Sequence, residues 1–418
     1  MTITAGTELV DSAYYAKHGP PHDIWTRLRA ESPVHRCEPE GYQPFWAITK
    51  YDDINAISTQ PNRFVNSGGI TVLKPADDAA LNASALTAMR TIITMDPPEH
   101  RDVRGIAAHL FTPRGISALD DEIERSAREI VDQMAGDSGE GECDFATDVA
   151  VAHPLRILAN MLGIPRSREP DILRITNQLF GFEDPDLQRD TDRSRALAEV
   201  AMEAYTMFDA IIQDRRGCPR EDLASALANA CVHGEQLGMM ETMGYYLIVF
   251  SAGHDTTKNA LVGGMRAFIE NPGEVAKLQR DPALIDRAVE EVVRWSSPVN
   301  YMKRTSAEDT EIRGQRIAAG DALVLFYASA NRDEDIFEDP FTFRVDRPVK
   351  KRNLGFGVGE HFCLGAYLAR RSQRALWTEL LSRLESVELA GEPLQIQSSF
   401  VVGLKHLPIR YRIRPAAS

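Results

Sequence analysis

Phe356-Gly357-Val358-Gly359-Glu360-His361-Phe362-Cys363-Leu364-Gly365, followed by a helix-compatible run from Ala366 to Leu380, is the stretch on which the reading of this chain turns. Three glycines around one cysteine let the backbone wrap closely, because Gly accepts positive φ and carries no side chain to clash. A cysteine just ahead of a helix N-terminus receives backbone N–H groups and the positive end of the helix dipole. Both are expected to favour the thiolate, the form that binds a metal. A small buried cysteine in a Gly-rich turn is the plainer alternative.

Outward from this loop the pattern is mostly helical. Apolar residues recur at i, i+3, i+4 over Arg114–Met134, Pro154–Met161, Ala196–Arg215 and Ala283–Trp295. The longest candidate runs from Met239 to Glu270 and stops at Asn271-Pro272, where proline disfavours continuation. At about 1.5 Å per residue it spans about 48 Å, enough to cross the whole molecule. Strand-like pieces stand at Phe45–Thr49, Asp321–Tyr327 and Phe400–Tyr411, and the first 90 residues read as short β-like runs and turns with a Gly68-Gly69 loop. The expected fold is mainly α with a minor β part, residues 1–418 forming a single large domain.

Composition narrows the function classes. The net charge of −14 argues against sequence-independent nucleic-acid binding, which needs clustered Lys and Arg. Five scattered cysteines (Cys37, Cys143, Cys218, Cys231, Cys363) without CxxC spacing fit a reducing cytoplasm rather than a disulfide framework. The N-terminus lacks a signal-peptide pattern, and the most apolar stretch, Tyr245–Phe250, is too short to span a bilayer. The expectation is a soluble, cytoplasmic protein.

Three further motifs carry chemistry. Ala252-Gly253-His254-Asp255-Thr256-Thr257 sits mid-way along the longest helix, where Gly253 costs about 1 kcal/mol against Ala and Thr hydroxyls can bend the helix. A rule broken in a core helix marks a candidate site; packing against a neighbouring helix is the alternative. His100 and Arg104 lie i, i+4 on one helix face, suited to binding an anion. Glu291 and Arg294, i and i+3, can pair. His361 and Cys363 have no nearby second pair to complete a zinc site. A single thiolate with an aromatic residue upstream suits the fifth ligand of a heme iron better. His100-Arg101-Asp102 also begins a kinase-like catalytic loop, but neither the required Asn nor an Asp-Phe-Gly follows. There is no His-Glu-x-x-His and no Gly-x-Ser-x-Gly.

The loop at 356–365 resembles the heme-thiolate loop of the cytochrome P-450 monooxygenases, and the other motifs fall in that family's order. The resemblance implies heme b held between the long central helix and the Cys-loop helix, with Cys363 as metal ligand. Phe356, Gly357, Gly365, Ala252 and Gly253 would lie against the heme, and His100, Arg104, Arg304 and His361 would bind its propionates. Asp255 and Thr256 match an acid–alcohol pair that manages protons during dioxygen activation, in a locally widened helix. Peroxide-driven relatives typically lack that pair. Glu291, Arg294 and Arg347 (in Phe343-Arg-Val-Asp-Arg347) would hold the proximal side. Family topology would place Ile70, Thr71, Val72, Leu73, Phe180, Phe182, Ile248, Val249, Ala252, Val299, Asn300, Phe400, Val401 and Val402 near the substrate.

With no flavin or nicotinamide motif, electrons would come from a ferredoxin and its NAD(P)H-dependent reductase. Arg101, Arg352, Arg370, Arg371 and Arg374 are candidate docking residues, and equally a solvated face. The expected activity is hydroxylation of a small hydrophobic molecule, a terpene or alkyl-aromatic, by a monomer without nucleic-acid or membrane partners. A steroid-type hydroxylase and a non-catalytic heme sensor or carrier are the alternatives. Gly41-Tyr-x-Pro-Phe-Trp46, Met95-Asp-Pro-Pro98 and Gly141-Glu-Cys-Asp-Phe145 look most like bacterial monoterpene hydroxylases.

Overall fold

In a computed structural model, residues 4–75, 77, 79, 89–180, 183–188 and 193–415 are described. Helices dominate, and one of them organises the rest. The helix Met239–Glu270 begins and ends as its sequence pattern predicts and threads two apolar clusters. Its first half buries Met243, Tyr245, Tyr246, Leu247 and Phe250 with Leu155, Leu158 and Phe208. Its second half buries Leu261, Val262, Met265 and Phe268 with Val292, Leu376, Trp377 and Leu380. Each such side chain contributes about 1.5–3 kcal/mol by leaving water. Gly264 permits the second contact, because a Cβ there would come within 2.9 Å of the Trp377 ring. Among the described residues no helix is long and apolar enough to cross a membrane.

The minor β part includes a five-stranded sheet. Val34–Cys37 pairs antiparallel with Phe45–Ile48, which runs parallel to Ala322–Phe326. That strand pairs antiparallel with Tyr301–Ser306, flanked by Phe64–Val65, and its register sets Arg304 opposite Leu323. A second sheet joins Leu384–Leu389, Pro408–Ile413 and Glu140–Asp144.

The first 90 residues hold the expected strand at Phe45–Ile48 but add helices that the strand-and-turn expectation did not include. Ser12–His18, His22–Glu31 and Tyr51–Ser58 are helices. Each is ten residues or fewer, too short for periodicity to stand out, and each is held by burying one side, as Trp25 and Leu28 or Ile54 and Ile57 do. The predicted Arg114–Met134 helix is broken into Pro113–Ile116, a 3-10 turn and Asp120–Ala135.

His153 ties three helices together. Its Nε2 donates to the Ser372 carbonyl (3.0 Å) in the Ala366–Arg383 helix, so its Nδ1 accepts from Ser126 Oγ (3.0 Å) in the Asp120–Ala135 helix. It is fully buried, and burial lowers its pKa to about 4. Above pH 6.5 neither folded nor unfolded imidazole is protonated. As pH falls from 6.5 towards 4 the unfolded chain takes up a proton that the native site refuses, so stability is lost, by about 3 kcal/mol at most. Urea unfolding at pH 7 and pH 4.5 should show this loss in the wild type and a smaller one in His153→Gln. Equal losses in both would remove His153 from the acid response.

Candidate active site

Between the long helix and the Cys363 loop lies a cavity whose wall draws on residues from Asn66 to Gln373. Ile92, Ile93, Ile248, Val249, Val299 and Met302 make much of it apolar. The loop is built by its own backbone. Cys363 N–H donates to the Phe356 carbonyl (2.8 Å), Phe362 N–H to Gly359 (3.1 Å) and Gly357 N–H to Leu354 (2.8 Å). Gly359, at φ +76°, has no room for a side chain, since a Cβ would fall 2.2 Å from the Ser58 carbonyl oxygen. The Arg370 guanidinium lies 4.2 Å from the Phe356 ring centroid.

Cys363 opens onto the cavity while protein surrounds it on its other sides. The Gly365 N–H, Arg104 and Arg370 favour the thiolate, as the turn-and-helix geometry predicts. Burial outweighs them, and the thiol pKa is raised. A bound metal cation would add to the N–H and arginine contributions and favour the thiolate.

The cavity fits a heme by the chemistry of its wall. The rings of His100 and His361 lie with centroids 4.0 Å apart and planes tilted by 36°. Both ring nitrogens of His100 and Nε2 of His361 are buried without a partner. Burial lowers both pKa values, that of His361 to about 3, so both rings are neutral near pH 7 and each can donate one N–H. Arg104 donates to the Phe362 carbonyl (2.6 Å) and Arg304 to that of Lys303 (2.9 Å). Among the described residues neither guanidinium pairs with a carboxylate, while both line the cavity. Unsatisfied donors and uncompensated cations are costly unless an anion completes them. The two carboxylates of a heme would supply that anion, and the Cys363 sulfur could ligate its iron.

On the long helix, Ala252, Gly253, Thr256 and Thr257 line the cavity and Asp255 does not. Thr256 Oγ1 donates to the Ala252 carbonyl (2.7 Å), yet the helix is α throughout, without the expected local widening. Gly253 serves packing too, because a Cβ would lie 3.0 Å from Leu158 Cδ1. Asp255 is buried and bonded to Lys258 and Asn259.

Glu291, Arg294 and Arg347 form a buried cluster. Both Glu291 oxygens accept from Arg294 at 2.7 Å and from Arg347 at 3.0–3.1 Å. Of the expected substrate contacts, Ile248, Val249, Ala252 and Val299 line the cavity, whereas Ile70, Thr71, Val72, Leu73, Asn300, Phe400, Val401 and Val402 do not. Asn300 is tied instead to Tyr15 and to the Ser399 carbonyl, and Val72 packs in the N-terminal core. Phe182 and the Phe180 side chain lie outside the described residues.

The proximal arginines are mostly paired at home, Arg101 with Glu360, Arg370 with Glu290, Arg371 with Asp120 (2.6 Å) and Arg374 with Asp286 (3.4 Å). Sequence reading missed Asn66 and Tyr327 as cavity residues. Tyr327 had one usable signal, its place directly after the Ala322–Phe326 strand that pairs with the strand of Arg304.

A cysteine loop facing a long helix across an apolar cavity with a cationic wall defines a heme-thiolate scaffold. The cytochrome P450 family model matches residues 14–413. Cytochrome P450-terp of Pseudomonas sp is 38% identical over 92% of both chains. The methyl-branched lipid omega-hydroxylase of Mycobacterium bovis is 36% identical over 92% of this chain and 89% of its own. The crystal structure of CYP108D1 from Novosphingobium aromaticivorans superposes with a TM-score of 0.89 at 36% identity, covering 98% of each chain. The chain belongs to the cytochrome P450 family, and its enzyme class is that of the heme-dependent monooxygenases.

Each charged hydrogen bond to a carboxylate is worth about 1.5–3 kcal/mol, so Arg304→Gln and His361→Ala should each speed heme loss to excess apomyoglobin about tenfold or more. Loss at the wild-type rate in both would remove these groups from heme binding.

Proposed function

We propose that the protein hydroxylates a small hydrophobic molecule, a terpene or an alkyl-aromatic, using O2 and two electrons from a ferredoxin and its reductase. The observation that carries this reading is the opposition of Cys363 and Thr256 across one largely apolar cavity. Cys363 would ligate the iron of heme b, with Phe356, Gly357, Gly365, Ala252 and Gly253 against the macrocycle and His100, Arg104, Arg304 and His361 on its carboxylates. When bound, the heme supplies the redox chemistry that activates dioxygen.

The remaining work belongs to the chain. Ile248, Val249 and Val299 orient an apolar substrate and exclude water. The Thr256 hydroxyl donates to Ala252, which leaves its oxygen lone pairs to accept a hydrogen bond from water in the cavity. Asp255, one residue away, is the proton source for that water. Similarity to P450-terp supports the terpene reading, and similarity to the methyl-branched lipid hydroxylase supports a second one, a longer branched chain.

We also infer that the whole chain works as one unit around one heme, since cavity residues run from Asn66 to Gln373. Five free cysteines suit a reducing cytoplasm. For an acidic ferredoxin, the paired arginines mean that docking exchanges ion pairs rather than neutralising bare charge.

Thr256→Ala tests the proton path. It should retain substrate binding while product formed per NADH falls about fivefold or more, the worth of a hydrogen bond of about 1 kcal/mol, with peroxide accounting for the difference. Unchanged product per NADH would overturn the assignment.

A further inference from the structure

Asn66 lines the cavity beside Ile93, is only 1% exposed, and has one polar group left over. Its backbone N–H donates to Asp96 Oδ1 (2.7 Å) and its backbone carbonyl accepts from the Gly69 N–H (2.9 Å). Its side-chain Nδ2 donates to the Ile93 carbonyl (2.8 Å). Asp96 also takes the Ser67 N–H (3.1 Å), so the turn that carries Asn66 is fixed on both sides. Pairing Nδ2 with a carbonyl settles which way the amide faces, because the amide oxygen cannot take that place. Among the described residues nothing donates to Asn66 Oδ1.

A buried amide oxygen is unfavourable until a donor completes it. Heme carboxylates are acceptors near neutral pH and cannot do so. Arg304 stands one residue beyond the Val65–Thr305 pair, and in the heme reading it serves those carboxylates. The donor therefore comes from the molecule that fills the apolar space, or from a water that this molecule displaces. The positive charge of Arg104 and Arg304 on the same wall disfavours an ammonium group there. A neutral hydroxyl meets both conditions.

We propose that Asn66 is a specificity-determining residue whose Oδ1 accepts a hydrogen bond from a hydroxyl of the substrate. The favoured substrates are then apolar molecules that carry one such group, rather than plain hydrocarbons. This rests on the reading of the cavity as the site of a small hydrophobic substrate. Ile92, Ile93, Val299 and Met302 hold the carbon skeleton, and the fixed amide selects which end lies beside it. With its other polar groups tied down, the amide is aimed in advance and loses little rotamer freedom on binding.

The test titrates the full heme-loaded protein with cuminyl alcohol, its methyl ether and p-cymene, reading each dissociation constant from the ligand-induced change of heme spin state. The ether keeps the oxygen and loses the donor, while p-cymene reports on the apolar wall by itself. The wild type should bind the alcohol about fivefold or more tighter than the ether, and Asn66→Leu should remove that preference. If Asn66→Leu does not load heme, Asn66→Ala takes its place, and the alcohol-to-ether ratio cancels what either change does to overall binding. Equal affinities for alcohol and ether in the wild type, or a preference that survives in the Asn66 variant, overturns the assignment of Asn66 alone. Failure of all three ligands to bind overturns the small-substrate reading and the assignment with it.

Discussion

The Glu291 carboxylate is the contact on which the geometry of the site depends. It accepts from Arg294, Arg347 and the Arg344 backbone N–H (2.9 Å). Arg294 spends its remaining donors on the carbonyls of Asn331 and Pro340, both at 2.9 Å. Asn331 Oδ1 then takes the Leu354 N–H (2.7 Å), two residues before the Cys loop opens. One buried anion thus fixes two arginines, and they fix the segment that aims Cys363. Such a cluster adds little net stability over an apolar core, yet losing one member strands the rest. Its value lies in specifying one arrangement. Nearby Arg332, buried over Trp295, has its pKa lowered to about 9, first by burial and then by the charge of Arg294.

The same logic, run in the opposite sense, describes the cavity. At Glu291 both carboxylate oxygens are satisfied internally. Around the cavity, His100 and His361 keep ring nitrogens without a hydrogen-bond partner, and Arg104 and Arg304 donate to carbonyls only, so the local sum is positive. A folded chain tolerates such a surplus where a ligand completes it. The apolar wall above and the cationic wall beside it therefore sort a flat, dianionic, metal-bearing group from a neutral substrate by charge alone.

How much of this was legible in the sequence follows from range. The helix Met239–Glu270 was readable to its ends because its stop signal, Asn271-Pro272, is local. The Cys loop was readable because its glycines and cysteine act within ten residues. The short N-terminal helices were missed because their stability comes from tertiary burial rather than propensity. Asn300 was misplaced as a cavity residue because its partners, Tyr15 and Ser399, are 285 and 99 positions away. The arginines of the Cys helix looked bare for the same reason: Asp120, which pairs with Arg371, lies 251 residues upstream. The opposing cost of burying the thiol could not be weighed, because dipoles are written in the local chain and desolvation is not.

The central claim is that Cys363 presents its sulfur to a heme iron in this cavity. The absorption spectrum of the dithionite-reduced, carbon monoxide-bound protein tests it most directly. Thiolate ligation through Cys363 predicts the strongly red-shifted Soret band of a heme-thiolate adduct in the wild type and its loss in Cys363→His. A histidine-type Soret band in the wild-type protein would contradict the account.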